Sequence, residues 1–241
     1  MIHLKSKHKN PFTRLSKGER LLWVVSLFGV ASSYFLSLLI SGKGNLLSTI
    51  ASLLGVTSLI FIAKGMVFGQ VLMILFALLY GIVSLSQKYY GEMLTYVFMS
   101  APMALFSIIS WLRHPFRNEG TVKIARLTKK SICILACLAV LVTVVFYYLL
   151  RFFGNANLTV STISVTTSFI AASLTFLRSP YYALGYVAND AVLIVLWTLS
   201  SINDLSYLPM LVCFLLFLVN DFYGFLSWRR MQKYQNSISI S

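Results

Sequence analysis

Residues 46–86 read LLSTIASLLGVTSLIFIAKGMVFGQVLMILFALLYGIVSLS, two long apolar runs with Lys64 as the one charge between them. A helix needs about 20 apolar residues to cross a hydrocarbon layer about 30 Å thick at 1.5 Å per residue. The junction Ala63-Lys64-Gly65, a charge followed by a helix breaker, predicts a tight turn at a membrane surface. Working outward, further runs of spanning length lie at 21–40, 93–112, 132–152, 158–177, 182–200 and 206–228. A second turn of the same kind is expected at Arg178-Ser179-Pro180. The sequence therefore predicts an all-α membrane protein of eight transmembrane helices. Composition agrees, with 58% hydrophobic and 11% charged residues against about 25% charged in soluble domains.

The basic residues decide the orientation. Seventeen of the twenty Lys and Arg fall in alternate connections, leaving only Lys43, Lys88 and Arg151 on the other side. By the positive-inside rule both termini are expected in the cytoplasm, in a bacterial inner membrane. A net charge of +14 then reads as topology signal and attraction to anionic headgroups, not as nucleic-acid binding. The run Leu21–Ile40 has spanning length and no small-residue cleavage pattern after it, so it reads as a retained helix.

Few residues offer chemistry. Cys133, Cys137 and Cys213 sit in apolar runs and read as inert thiols. His3, His8 and His114 lie in basic flanks. The four tryptophans, Trp23, Trp111, Trp197 and Trp228, stand near helix ends, where interfacial anchoring is expected. There is no metal-binding His-Glu-x-x-His, no nucleophile elbow and no phosphate-binding glycine loop, so neither an enzyme nor a cofactor or metal is expected.

A repeat is visible. Ile109-Ser110-Trp111-Leu112-Arg113 ends one triplet of helices, and Leu226-Ser227-Trp228-Arg229-Arg230 ends the other, 117 residues later. The two basic turns recur at nearly the same offset. This divides the chain into a basic amino terminus with helix 1 (1–45), a first triplet (46–112), a basic loop and linker helix (113–157), and a second triplet with a basic tail (158–241). One intervening helix keeps both triplets in the same orientation, a parallel 3+1+3 repeat.

Two acids lie inside apolar runs, each after an amide: Asn189-Asp190 and Asn220-Asp221. Ionisable residues at such depth face a bundle interior or an aqueous cavity and mark function. Counting from the basic side places both pairs near the midplane on neighbouring helices. Tyr182 and Tyr186 share the face of Asn189, and Tyr223 follows Asn220 by three. Amides with aromatic rings suit a flat, hydrogen-bonding heterocycle; the competing reading is that they bond helix to helix. Glu92 is expected at the outer surface where helix 4 begins. The polar groups of the first triplet, Gln70, Tyr80, Tyr96, Ser100 and Ser107, look scattered, which weights the expected site toward the second triplet. Pro102 is expected to bend helix 4.

Together with Lys64-Gly65, Tyr80-Gly81, Tyr89-Tyr90-Gly91-Glu92 and Asn220-x-x-Tyr223-Gly224-x-x-x-Trp228, this pattern over roughly 45–235 resembles the PnuC family of vitamin and nucleoside transporters. The resemblance implies a SWEET-like fold behind an extra amino-terminal helix. It also implies facilitated uptake of nicotinamide riboside, trapped by a cytoplasmic kinase, and a homotrimer. Substrate contacts are then expected from Asn189, Asn220, Tyr182, Tyr186, Tyr223, Asp190 and Asp221, with an aspartate favouring a pyridinium charge. Relatives that carry nicotinamide riboside show Trp-x-x-Trp-x-x-x-Asn on helix 7, where this chain has Tyr182, Gly185 and Asn189. That departure keeps thiamine, riboflavin and deoxynucleosides open as cargoes. The residues are also compatible with a non-transporting membrane enzyme or assembly subunit, and with proton-coupled transport.

Overall fold

The computed structural model describes residues 10–117 and 119–238; His3, His8 and the lysines before residue 10 lie outside them. Among the described residues eight helices are long and apolar enough to cross a membrane. They are α1 (Lys17–Ser41), α2 (Leu46–Ala63), α3 (Val67–Ser86), α4 (Tyr90–Arg113), α5 (Lys129–Phe152), α6 (Leu158–Phe176), α7 (Tyr182–Asn203) and α8 (Leu208–Ile238).

Local chemistry sets their ends. Ser16 and Glu19 form a reciprocal capping box at the start of α1, and left-handed Gly42 closes its other end. Asn45 and Thr128 cap α2 and α5 by accepting from the backbone N–H groups of Ser48 and Ser131. Within α4 the ladder widens to a π-turn over Tyr96–Ser100, just before Pro102, whose missing N–H would break a regular helix there.

Six helices close a ring in the order α2, α3, α4, α6, α7, α8, with α8 returning to α2. The triplet α2–α4 forms one half and α6–α8 the other, and they meet at α2–α8 and at α4–α6. α1 lies outside against α2 and α8, and α5 lies outside chiefly against α6. Of α5 only Ala139 and Leu150 are buried, so nearly all of its apolar surface is left to face lipid.

The same hydrogen bonds recur at the ends of the two triplets. Trp111 Nε1 donates to the Thr175 carbonyl at the end of α6, and Trp228 Nε1 donates to the Ile62 carbonyl at the end of α2. The preceding serines do the same, Ser110 to Phe176 and Ser227 to Ala63. Each triplet thus ends by capping the first helix of the other. The turns match as well: Gly65 and Arg178 are both left-handed, and Met66 and Ser179 each bond back to the carbonyl five residues earlier. Close approach repeats too. A Cβ on Gly69 would stand 2.6 Å from the Ile62 backbone nitrogen, and one on Gly185 2.9 Å from Ala171 Cα.

The turns at Gly65 and Arg178, the ends of α4 and α6 and the start of α5 share one face, called here the basic face. A strap, residues 114–117 and 119–128, crosses it through a two-residue antiparallel pairing of Pro115–Phe116 with Thr121–Val122. Val122 N donates to Gly65 O and Ala125 N to Arg178 O, so the strap joins the turns of both triplets. The last turns of α8 hold it: Gln235 accepts from Ile124 N at 2.9 Å and donates to Val122 O at 3.0 Å.

Three tryptophans depart from expectation. Trp111, Trp197 and Trp228 are fully buried, not interfacial anchors, because each indole N–H has a bonding partner inside the bundle. Trp23 is half-buried and donates to Thr57.

Candidate functional site

The bore of the ring is closed at two levels. Toward the basic face, Tyr182 packs on Trp228 with ring centroids 4.7 Å apart, and Trp228 packs on Trp111 at 5.4 Å. Gly224 makes this possible, since a Cβ there would stand 2.9 Å from the Tyr182 hydroxyl. Toward the far face, Trp197 packs between Tyr89 and Tyr207, and its N–H donates to the Tyr80 hydroxyl across the ring at 2.8 Å. Tyr89 donates to Leu196 O, Tyr207 pairs with Ser86, and Ser200 donates to Gln87, closing the far rim. Beside that rim, Asp204 is held below the usual carboxylate range by the Ser206 backbone N–H that it accepts.

Between these plugs lies a central hollow of about 10 Å³, roughly the space of one water. Leu59, Met73, Phe76, Tyr96, Ser100, Tyr186, Asp190, Phe217 and Asp221 line it. Five of these come from the first triplet, so the hollow is not weighted toward the second. Tyr96 and Ser100 are one turn apart on α4 and face the bore together, whereas Gln70, Tyr80 and Ser107 are buried without lining the hollow. Asp190 and Asp221 approach each other there, and Oδ2 of each has no hydrogen-bond partner. Among the described residues no lysine or arginine is buried, so nothing basic offsets these carboxyls.

The asparagines do not share this hollow. Asn189 Oδ1 accepts from Ser164 at 3.2 Å, Thr167 at 3.0 Å and Ser168 at 2.9 Å, all on α6. Its amide nitrogen donates to the Tyr96 hydroxyl at 3.4 Å. Asn220 turns toward α1, donating to Ser26 and to Leu216 O, with Oδ1 unpartnered. The reason is helical geometry: neighbouring residues point about 100° apart, so one member of each Asn-Asp pair faces the bore and the other faces a flanking helix. Tyr186 lines the hollow, Tyr182 closes it, and Tyr223 is elsewhere. Its hydroxyl donates to Glu19 at 2.7 Å, and Glu19 also pairs with Lys64 at 3.0 Å.

Glu92 is a correction. It is not at a surface but fully buried within the ring, with neither oxygen in a hydrogen bond. The i, i+4, i+8 spacing of Glu92, Tyr96 and Ser100 was the signal that it shares the bore face of α4.

Comparison with known proteins agrees with this architecture. Residues 45–230 match the family model described as nicotinamide mononucleotide transporter. A nicotinamide riboside transporter, PnuC, from Neisseria mucosa is 28% identical over 152 residues, 61% of this chain. That match spans 57% of the relative's own length. A crystal structure of the vitamin B3 transporter PnuC superposes with a TM-score of 0.78 over 92% of this chain and 94% of that one, at 22% identity, a likeness of fold.

Proposed function

The chain belongs to the nicotinamide mononucleotide transporter family, and from that premise we propose that it carries nicotinamide riboside across the membrane by facilitated diffusion. The observation that carries the reading is the closed central hollow, where Asp190 and Asp221 stand among aromatic rings with no buried base near them. The chemistry of the lining suits a flat cation once the hollow widens beyond the room for one water: Phe76, Tyr96, Tyr186 and Phe217 offer ring faces, and the carboxylates offer the opposing charge. The same electrostatics select within the family's chemistry. A mononucleotide brings phosphate charge into a bore that holds acids and no buried base, whereas the riboside brings only its pyridinium.

The expected site residues then divide by role. Asp190, Asp221 and Tyr186 contact the substrate, and Tyr182 gates the basic side. Asn189, on α7 and held by the α6 hydroxyls, positions Tyr96, while Asn220 and Tyr223 fix α8 against α1. With both plugs closed the bore is shut toward both faces and its hollow is contracted to about 10 Å³; transport widens it and alternates between opening the Tyr182–Trp228–Trp111 level and the Trp197 level. The charge bias places the basic face and both termini in the cytoplasm of a bacterial cell. A cytoplasmic kinase that phosphorylates the riboside, and assembly as a homotrimer, belong to the same proposal on the strength of the family resemblance.

Flux into liposomes tests it. Purified protein should equilibrate radiolabelled nicotinamide riboside to equal inner and outer concentration, and accumulate it only with a riboside kinase and ATP enclosed. Flux of thiamine, also a heteroaromatic cation, in place of the riboside would reassign the cargo. No flux of either would remove the carrier reading.

A further inference from the structure

α3 and α4 run antiparallel, with Tyr80 against Tyr96 at 4.3 Å between ring centroids. One turn farther from the hollow the same pairing brings Ser84 of α3 level with Glu92 of α4. This layer holds an unusual number of orphaned polar atoms: both carboxylate oxygens of Glu92, Ser84 Oγ and Thr95 Oγ1. All three residues are fully buried. Tyr80 and Ser164 are its other polar neighbours: the Ser164 hydroxyl donates to Asn189, while the Tyr80 hydroxyl accepts from Trp197 and keeps its own proton free for this layer. Buried polar groups are ordinarily satisfied, and a carboxylate left without partners is costly. The layer lies on the bore side of the ring, between the far rim and the hollow.

We propose that this layer is the sugar subsite of the carrier, with Glu92 the residue that selects a ribose by its cis-diol. The inference rests on the proposed function and deepens it. A carboxylate is acceptor-only, and the two adjacent hydroxyls of a ribose are donors spaced to meet its two oxygens. Ser84 and Thr95 supply groups that both donate and accept, as sugar oxygens need. A metal ion fits less well, because one carboxylate stands in the layer and hard cations draw on several oxygen ligands with more than one charge. Spacing agrees: Glu92 is four residues, about 6 Å along the helix, from Tyr96 at the hollow. That is the reach from a heterocycle to the sugar bonded to it. The nucleoside therefore lies along α4 with its ring at Asp190 and Asp221 and its sugar toward the far face.

Calorimetric titration of the purified full-length protein, wild type and Glu92→Gln, tests this with three probes: nicotinamide riboside, its 2′-deoxy analogue, and N1-methylnicotinamide, which has the charged ring and no sugar. Wild type should prefer the riboside over the 2′-deoxy analogue by at least about tenfold. Glu92→Gln should erase that preference by weakening the riboside alone, leaving N1-methylnicotinamide within about twofold. Ser84→Ala, a milder change, should move the same ratio in the same direction. Equal weakening of all three probes, or an unchanged ratio in both variants, would overturn the assignment while leaving the carrier reading intact. Absence of binding by wild type to any of the three would overturn both.

Discussion

Asn189→Ala separates two roles that an asparagine can play at this depth. In the structure its carbonyl oxygen holds three α6 hydroxyls at 2.9–3.2 Å, so the substitution strands donors between α6 and α7. Interhelical hydrogen bonds in membrane proteins average about 0.6 kcal/mol, which gives roughly 2 kcal/mol for the three. The loss should not divide evenly. Thr167 keeps acceptors in the Ile163 and Ser164 carbonyls, so the greater share falls on Ser164 and Ser168. For a chain of this size about 2–4 °C per kcal/mol gives a fall in Tm of roughly 4–8 °C, read by scanning fluorimetry in detergent. Ser168→Ala alone should cost less, and the double variant should fall short of the sum, because both remove the same bond. An unchanged Tm together with lost riboside binding would refute the reasoning, since the amide would then face the ligand and not α6.

Trp111→Phe and Trp228→Phe should destabilise by similar amounts, about 0.5–1.5 kcal/mol each by the same melting assay, because the two indoles cap equivalent carbonyls; a large difference would deny the pseudo-symmetry. Gln235→Ala removes both bonds to the strap, so amide exchange at Val122–Ala125 should accelerate at least about tenfold, and unchanged exchange would show that the strap is held by other contacts. Asp204→Ala should weaken the far-face turn at neutral pH. Its folded-state pKa is depressed, so this contribution is present above about pH 4, the unfolded value, and is lost as pH falls through the folded one. Wild type and variant should therefore converge in stability under strongly acid conditions, and a gap that widened there would contradict the assignment.

The helices were legible because crossing lipid imposes length and apolarity on every span, and those are properties of sequence. The recurring helix endings were legible for a narrower reason. Ser110-Trp111 and Ser227-Trp228 recur because they perform the same capping at symmetric places. The site was only half legible. Asp190 and Asp221 stood out as acids in apolar runs, and both line the hollow. The asparagines beside them stood out equally, yet a 100° step turns them outward, and sequence carries no sign of which neighbour faces the bore until the helices are packed. Glu92 was misplaced by depth counting. It lies only two residues into α4, a position that reads as interfacial, but its side chain is fully buried beside Tyr80 and Ser164. Tryptophans near helix ends misled for the same reason, since the plugs of a closed bore also lie near helix ends.

The central claim is that uncompensated carboxyls in the hollow select a positively charged ring. Comparing nicotinamide riboside with its reduced dihydro form, nearly the same shape without the pyridinium charge, by calorimetric titration isolates that one property. Wild type is expected to bind the oxidised riboside at least about tenfold more tightly, and Asp190→Asn with Asp221→Asn to bring the two affinities together. Equal affinities in the wild type, or a preference that survives loss of both carboxylates, would contradict the account.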